Sequence, residues 1–354
     1  MKRLPQLDSV RGLAVLIVLM HNTDKYHYTG FVARFGWMGV DLFFVLSGFL
    51  ITGILLDTKD SNGYFRRFYA RRCLRIWPLY YFALLFMFVV VPWLRPSEAH
   101  RIFEARSMPW WSYLVYLQNF LVPAITTATG LLGVTWSLAV EEQFYAVWPL
   151  VVRYFSAFQL RALTIALICF SPILRYFLVH RGFNVYPNTF CRLDGIMMGA
   201  LLALVFRSKT FTREVYVPWA WGVLLIALPL ALITSGRVQW AVYSLTALAS
   251  VAFVYLALCS NQKWLQTILG SRFLIYTGTI SYGIYLLEKI PTDAAMSLHL
   301  DRHPWLVLPV TVAATYGLSI LSWSLLERPF LRLKRFFEGA RSSAPTDRAL
   351  VPAP

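Results

Sequence analysis

Apolar segments long enough, or nearly long enough, to cross a bilayer recur along almost the whole chain. They lie near residues 4–22, 36–56, 76–94, 112–125, 136–155, 160–179, 190–206, 217–234, 239–259, 273–291 and 305–326. A hydrocarbon core about 30 Å thick is spanned by about 20 helical residues. Within lipid, every backbone N–H and C=O must be satisfied internally, which leaves the helix for separate segments of this length. The predicted fold class is therefore all-α, a polytopic integral membrane protein. With 58% hydrophobic residues, 14% charged residues and a mean hydropathy of +0.56, the bilayer is expected to replace water around most of the chain.

Segment 112–125 is short and carries Gln118 and Asn119 beside its aromatic residues. Whether it crosses is decided by Lys and Arg, which concentrate on the cytoplasmic side. If it does not cross and the N-terminus is inside, about twice as many Lys and Arg lie inside as outside; if it crosses, the majority falls outside. The prediction is ten transmembrane helices with both termini cytoplasmic, in the inner (cytoplasmic) membrane of the cell. A transmembrane domain is assigned to 1–335 and a disordered cytoplasmic tail to 336–354. The stretch RPFLRLKRFFEGAR, after Glu327, is expected to lie along the inner surface as a short amphipathic helix.

The net charge of +16 would suit a nucleic-acid partner. The basic residues, however, sit between apolar spans and form no single basic face, so nucleic acid is excluded as the expected partner. Cys73, Cys169, Cys191 and Cys259 are scattered without metal-ligand spacing; free thiols and no metal site are expected. Lys2 and Arg3 before an apolar run resemble a signal peptide. Asp8 and Arg11 interrupt that run and no small-residue cleavage site follows, so a retained first helix is expected.

Ionisable residues at membrane depth are costly and usually face a polar interior. The first apolar segment holds Asp8 and Arg11 near its start and His21 near its end, with Arg11 and His21 roughly 15 Å apart along a helix. Asp41 opens the second segment, in GVDLFFVLSGFLIT, where it serves either as a structural partner or as a site residue. The glycines and Ser47 of that segment suit close helix packing. In YFRRFYARRCLRIWPLYY, Arg67, Arg71 and Arg75 recur at i, i+4 and i+8 on one helical face. That face suits either a positive-inside anchor or the oxygens of a phosphate group.

These stretches, with TWSLAVEEQFYAVWPL, FCRLDGIMMGALLA, GTISYGIYL and WSLLERPFLRL, occur from end to end in the order of one family. The chain resembles the acyltransferase 3 family of membrane acyl-CoA-dependent O-acyltransferases. The resemblance implies a ten-helix fold that moves an acyl group, often acetyl, from cytoplasmic acyl-CoA to a hydroxyl, commonly of a sugar. Members without an attached hydrolase-like domain act as single units, and this chain is expected to be of that kind.

Carried over by that resemblance, His21 is the expected general base and Arg11 its basic partner. An imidazole that titrates near neutral pH suits the removal of a hydroxyl proton. Glu141 and Glu142 point about 100° apart on a helix and cannot both face one site; by its match to the family's motif, the resemblance makes Glu141 the expected partner of protonated His21. Arg67, Arg71 and Arg75 are expected to bind CoA phosphates, and Trp136 to line the acyl path. Arg192 and Asp194 are read either as a local ion pair or as acceptor-binding residues. Glu327 and Arg328 are read as structural.

Two departures from the family's pattern stand out. Nine residues separate Arg11 from His21 where the family has ten, which leaves the pair about 80° apart unless the long arginine side chain or a π-bulge absorbs the difference. Glu288 stands where many relatives have His. The expected partners are the lipid bilayer and a glycan or glycosylated small-molecule acceptor, with acyl-CoA, foremost acetyl-CoA, as co-substrate. The alternative is a transporter or flippase for a lipid-linked or acylated glycan; paired broken helices or a repeat relation between halves would mark it, and neither is found in the sequence.

Overall fold

A computed structural model describes residues 4–24, 29–94, 109–120, 132–208 and 211–337. Among these residues the chain is helical with no strand. Ten helices of at least 13 residues form the bundle: α1 (Pro5–Thr23), α2 (Met38–Thr58), α3 (Tyr64–Leu85), α4 (Thr135–Tyr154), α5 (Ala157–His180), α6 (Leu193–Val205), α7 (Val217–Thr234), α8 (Gln239–Cys259), α9 (Arg272–Leu287) and α10 (Pro304–Ser322). Six of the ten, namely α2, α3, α5, α7, α8 and α10, are long and apolar enough to cross a membrane. The other four are short, like α6 and α9, or are interrupted by ionisable residues, like α1 and α4.

The observed helices follow the predicted segments closely, with two instructive differences. The third helix begins at Tyr64 rather than near residue 76. Its first turns are the Arg-rich stretch, which an apolar window cannot register. The described part of segment 112–125 forms no spanning helix: Trp110–Leu114 is one short helix, Tyr116 then adopts φ 56°, and Gln118–Phe120 closes a single 3₁₀ turn. Its polar residues explain this. Gln118 Nε2 donates to Thr135 O (3.1 Å), and Asn119 Nδ2 donates to Pro187 O (3.1 Å) and Thr189 Oγ1 (2.7 Å), pinning the segment against α4 and the loop before α6.

Two close helix crossings organise the centre. Gly12 of α1 lies against Leu274 O and Gly278 of α9 against Asp8 O, so a Cβ on either would overlap backbone. Gly48 of α2 and Gly199 of α6 repeat the arrangement against Ile196 O and Val45 O. Small residues let helices approach to van der Waals contact where no hydrophobic force drives them together. α2 is the most enclosed of the six, with 72% of its apolar window buried inside the bundle, against 17% for α5 and α7. The latter two therefore offer most of their surface to lipid.

Lys59 Nζ donates to Phe155 O (2.7 Å), Arg153 Nη1 donates to Lys59 O (2.5 Å), and Arg207 Nη2 pairs with Asp57 Oδ1 (2.8 Å). These contacts gather the C-terminal ends of α2, α4 and α6 at one end of the bundle, called here the basic end. Beyond α10 the chain passes through a π-turn at Trp323–Glu327 into Arg328–Arg332, and the stretch Leu333–Phe337 packs against the start of α3, where Arg66 sits 5.8 Å from the Phe337 ring. The basic stretch thus continues the last helix rather than starting a separate one. The tail expected at 336–354 lies outside the described residues beyond Phe337.

Candidate active site

α1 is an uninterrupted α-helix, so no π-turn relieves the ten-step separation of Arg11 and His21. The π-turns occur instead at Phe86–Val90, after α3, and at Trp323–Glu327. Arg11 and His21 accordingly look into two different cavities.

His21 Nδ1 lies 2.5 Å from Ala33 O. A carbonyl oxygen only accepts, so Nδ1 carries a proton in this contact, and in the neutral ring the lone pair is on Nε2. Ala33 belongs to the short helix Phe31–Phe35, and the glycine that follows lets this segment reach α1. A Cβ on Gly36 would overlap Ile17 O and crowd the His21 Cβ. The backbone of this short helix thereby orients the imidazole.

The His21 cavity, about 740 Å³, is walled by Asn22, Trp37, Trp136, Tyr186, Tyr243 and Lys289, among others. A second cavity of about 110 Å³ holds Arg11, Arg72, Arg75, Ser47, Glu141 and Tyr145. Val40 and Tyr285 line both, so one layer of side chains separates them. Tyr285 OH lies 2.6 Å from Ser137 Oγ and donates to Val134 O (3.0 Å), which ties that partition to the start of α4.

In the smaller cavity Glu141 accepts from Ser47 Oγ (2.5 Å) and Tyr145 OH (3.3 Å). The expected pairing of Glu141 with His21 is not formed; the carboxylate faces the arginines across the partition from the imidazole. Glu142, one residue on, points to α3 and accepts from Trp77 Nε1 (3.4 Å), as the helical angle requires. Within α1, Arg11 pairs with Asp8, whose Oδ1 is 3.2 Å from Arg11 Nη1. Of the arginine row, Arg75 reaches the cavity, whereas Arg71 is exposed and Arg67 is half-buried beside Gly63. Arg72, adjacent to the expected row, is the second member present, with its guanidinium 5.4 Å from the Tyr145 ring.

The local pair between Arg192 and Asp194 is not formed, because side chains two residues apart on a helix diverge. Arg192 Nη2 pairs with Asp41 Oδ1 (2.7 Å), and Thr246 Oγ1 donates to Asp41 Oδ2 (2.9 Å). Asp194 instead receives Arg175 through both nitrogens (3.0 and 2.7 Å), with Ser244 Oγ at 2.6 Å. Both pairs are almost fully buried. Arg192 also sits 4.0 Å from the Tyr243 ring and 5.7 Å from the Trp136 ring, two walls of the His21 cavity. Asp41, Arg192, Asp194 and Trp136 therefore shape that cavity from behind or along its wall.

Sequence reasoning assigned no site role to Arg72, Arg175, Tyr145 and Tyr285, and read Ser47 as a packing residue only. Arg175 carried a usable signal, being an arginine within the last turns of an apolar span. The others carried none, since a hydroxyl or a neighbouring arginine in a helix says nothing of the face it occupies until the packing is known.

Comparison with known proteins adds an independent line. The sequence profile of the acyltransferase 3 family, described as an acyltransferase domain, matches residues 4–324. YrhL of Bacillus subtilis (strain 168), a candidate peptidoglycan O-acetyltransferase, is 30% identical over 92% of this chain and 54% of its own length. A candidate O-acetyltransferase of Staphylococcus aureus (strain COL) is 27% identical over 93% of this chain and 58% of its own. The peptidoglycan O-acetyltransferase OatA of Listeria monocytogenes serovar 1/2a is 28% identical over 93% of this chain and 56% of its own. The chain thus spans a little over half the length of these relatives. No solved structure matches it significantly.

Proposed function

Because the chain belongs to the acyltransferase 3 family, we propose that it moves an acyl group, foremost acetyl, from acyl-CoA to a hydroxyl of a glycan, with His21 as general base. One observation carries this reading. An imidazole held through Nδ1 by the Ala33 carbonyl stands in a roomy, aromatic-walled cavity, one side-chain layer from a narrow cavity holding three guanidinium groups.

The donor set of Arg11, Arg72 and Arg75 fits an anionic donor molecule, since guanidinium forks match phosphate oxygens. A cavity of about 110 Å³ suits a slender acyl-thioester arm and leaves a nucleotide outside it, toward exposed Arg71. The larger cavity suits a sugar, whose apolar ring faces stack on Trp136, Tyr186 and Tyr243 while its hydroxyls meet polar groups. His21 Nε2 takes the proton of the acceptor hydroxyl as its oxygen bonds to the thioester carbonyl. The C–S bond then breaks, and the imidazolium returns the proton to the departing thiolate. The names of the relatives make peptidoglycan strands the first acceptor to test.

We further propose ten spans with the basic end and both termini on the cytoplasmic side, in the cytoplasmic membrane. The Lys/Arg asymmetry supports this orientation, which brings acyl-CoA to the arginine cavity and the acceptor to the opposite end.

The test is free-thiol release from acetyl-CoA by the purified chain with de-O-acetylated peptidoglycan strands. His21→Gln should keep acetyl-CoA binding and lose roughly 10²–10⁴-fold in transfer, the usual worth of a general base. Near-normal transfer by that variant would remove His21 from the chemistry.

A further inference from the structure

The C-terminal end of α9 carries a carboxylate that the reaction above does not use. Glu288 is fully buried. Its Oε1 accepts from Asn22 Nδ2 at 2.5 Å, and its Oε2 has no partner among the described residues. Asn22 is the residue after His21 and lines the same cavity. Around this contact, Lys289 Nζ donates to Asn22 O (3.3 Å) and Thr292 Oγ1 donates to Glu288 O (3.0 Å), so backbone and side chain of both residues are held. Lys289 and Thr292 line the cavity too.

Because Oε1 accepts from Nδ2, the Asn22 amide turns its NH₂ toward Glu288 in this contact. Its carbonyl oxygen, Oδ1, is then left half-buried on the cavity wall, making no hydrogen bond among the described residues. A buried carboxylate with one oxygen unsatisfied is costly, and such a group calls for a role.

We propose that Glu288 is a positioning residue that sets acceptor specificity. By fixing the amide, it presents Asn22 Oδ1 as a hydrogen-bond acceptor on the wall of the cavity that holds His21. The acceptor class this selects is a sugar with an O–H or acylamino N–H next to the hydroxyl that is acylated. That neighbouring donor bonds Asn22 while the reacting hydroxyl faces His21. This inference rests on the glycan-acceptor reading above.

The experiment compares wild type, Glu288→Gln and Asn22→Ala as full chains in detergent, by thiol release from acetyl-CoA with the N-acetylglucosamine tetramer and with peptidoglycan strands. Gln keeps the shape of Glu but lets the Asn22 amide take either orientation, and Ala removes it. Each variant should raise the acceptor KM by up to roughly tenfold, the worth of one hydrogen bond, while the KM for acetyl-CoA stays put; Asn22→Ala, which strips Glu288 of its side-chain donor, should also lower the thermal midpoint, whereas Glu288→Gln should not. An unchanged acceptor KM in both variants would overturn the inference and leave the proposed reaction standing. If wild type uses neither glycan, the glycan-acceptor reading fails and this inference falls with it.

Discussion

Arg175 and Arg192 bury two cations between helices, and each is matched by a carboxylate on a neighbouring helix. Removing one partner of a buried pair leaves an uncompensated charge, which typically costs about 3–5 kcal/mol. Arg175→Ala should therefore lower the thermal unfolding midpoint sharply, and Arg175→Lys should restore only part of it, because one ammonium cannot copy the bidentate contact with Asp194. At the arginine cavity, Arg75→Glu should weaken acetyl-CoA binding while Arg71→Glu has a smaller effect, as binding titrations would read. Equal losses in both would move the donor site out to the exposed row. The sequence made His21, Arg11 and Asp41 visible because an ionisable group in an apolar run stands out, and Glu141 visible through the family's motif. It could not assign their partners. Pairings such as Arg192 with Asp41 join residues 151 positions apart, and only the packing order of α2 and α6 brings them together.

At the scale of elements, the hydropathy pattern located every long helix, since span length and apolarity are local properties of the chain. Its blind spots were also local. The polar first turns of α3 read as helical from their arginine spacing but fell outside the apolar span, and the Gln118–Asn119 segment read as a weak span because its hydrogen bonds to Thr135, Pro187 and Thr189 are long-range. Glycines set the two central crossings, and each makes a testable element. Gly278→Val should prevent α1 from seating on α9, seen as loss of monodisperse protein in size-exclusion chromatography. Gly36→Val acts on a shorter lever. It should push the Phe31–Phe35 helix off α1 and release the Ala33–His21 contact, so that transfer falls while acetyl-CoA binding persists. Binding and transfer falling together would mean that this segment supports the whole bundle rather than the imidazole.

For the molecule as a whole, the two cavities occupy opposite halves of one bundle and meet at Val40 and Tyr285. Impermeant thiol reagents on intact cells should label a cysteine placed at Gly236, in the turn between α7 and α8, and spare one placed at Ser61, between α2 and α3. The reverse pattern would invert the orientation inferred from the Lys/Arg asymmetry. The most direct measurement uses sealed proteoliposomes of known orientation, with acetyl-CoA confined to the basic end and glycan acceptor to the other. Acetylated glycan should form in that arrangement, and no product should form when acetyl-CoA is moved to the acceptor side. Product only when both substrates share one side would contradict transfer across the partition between the two cavities.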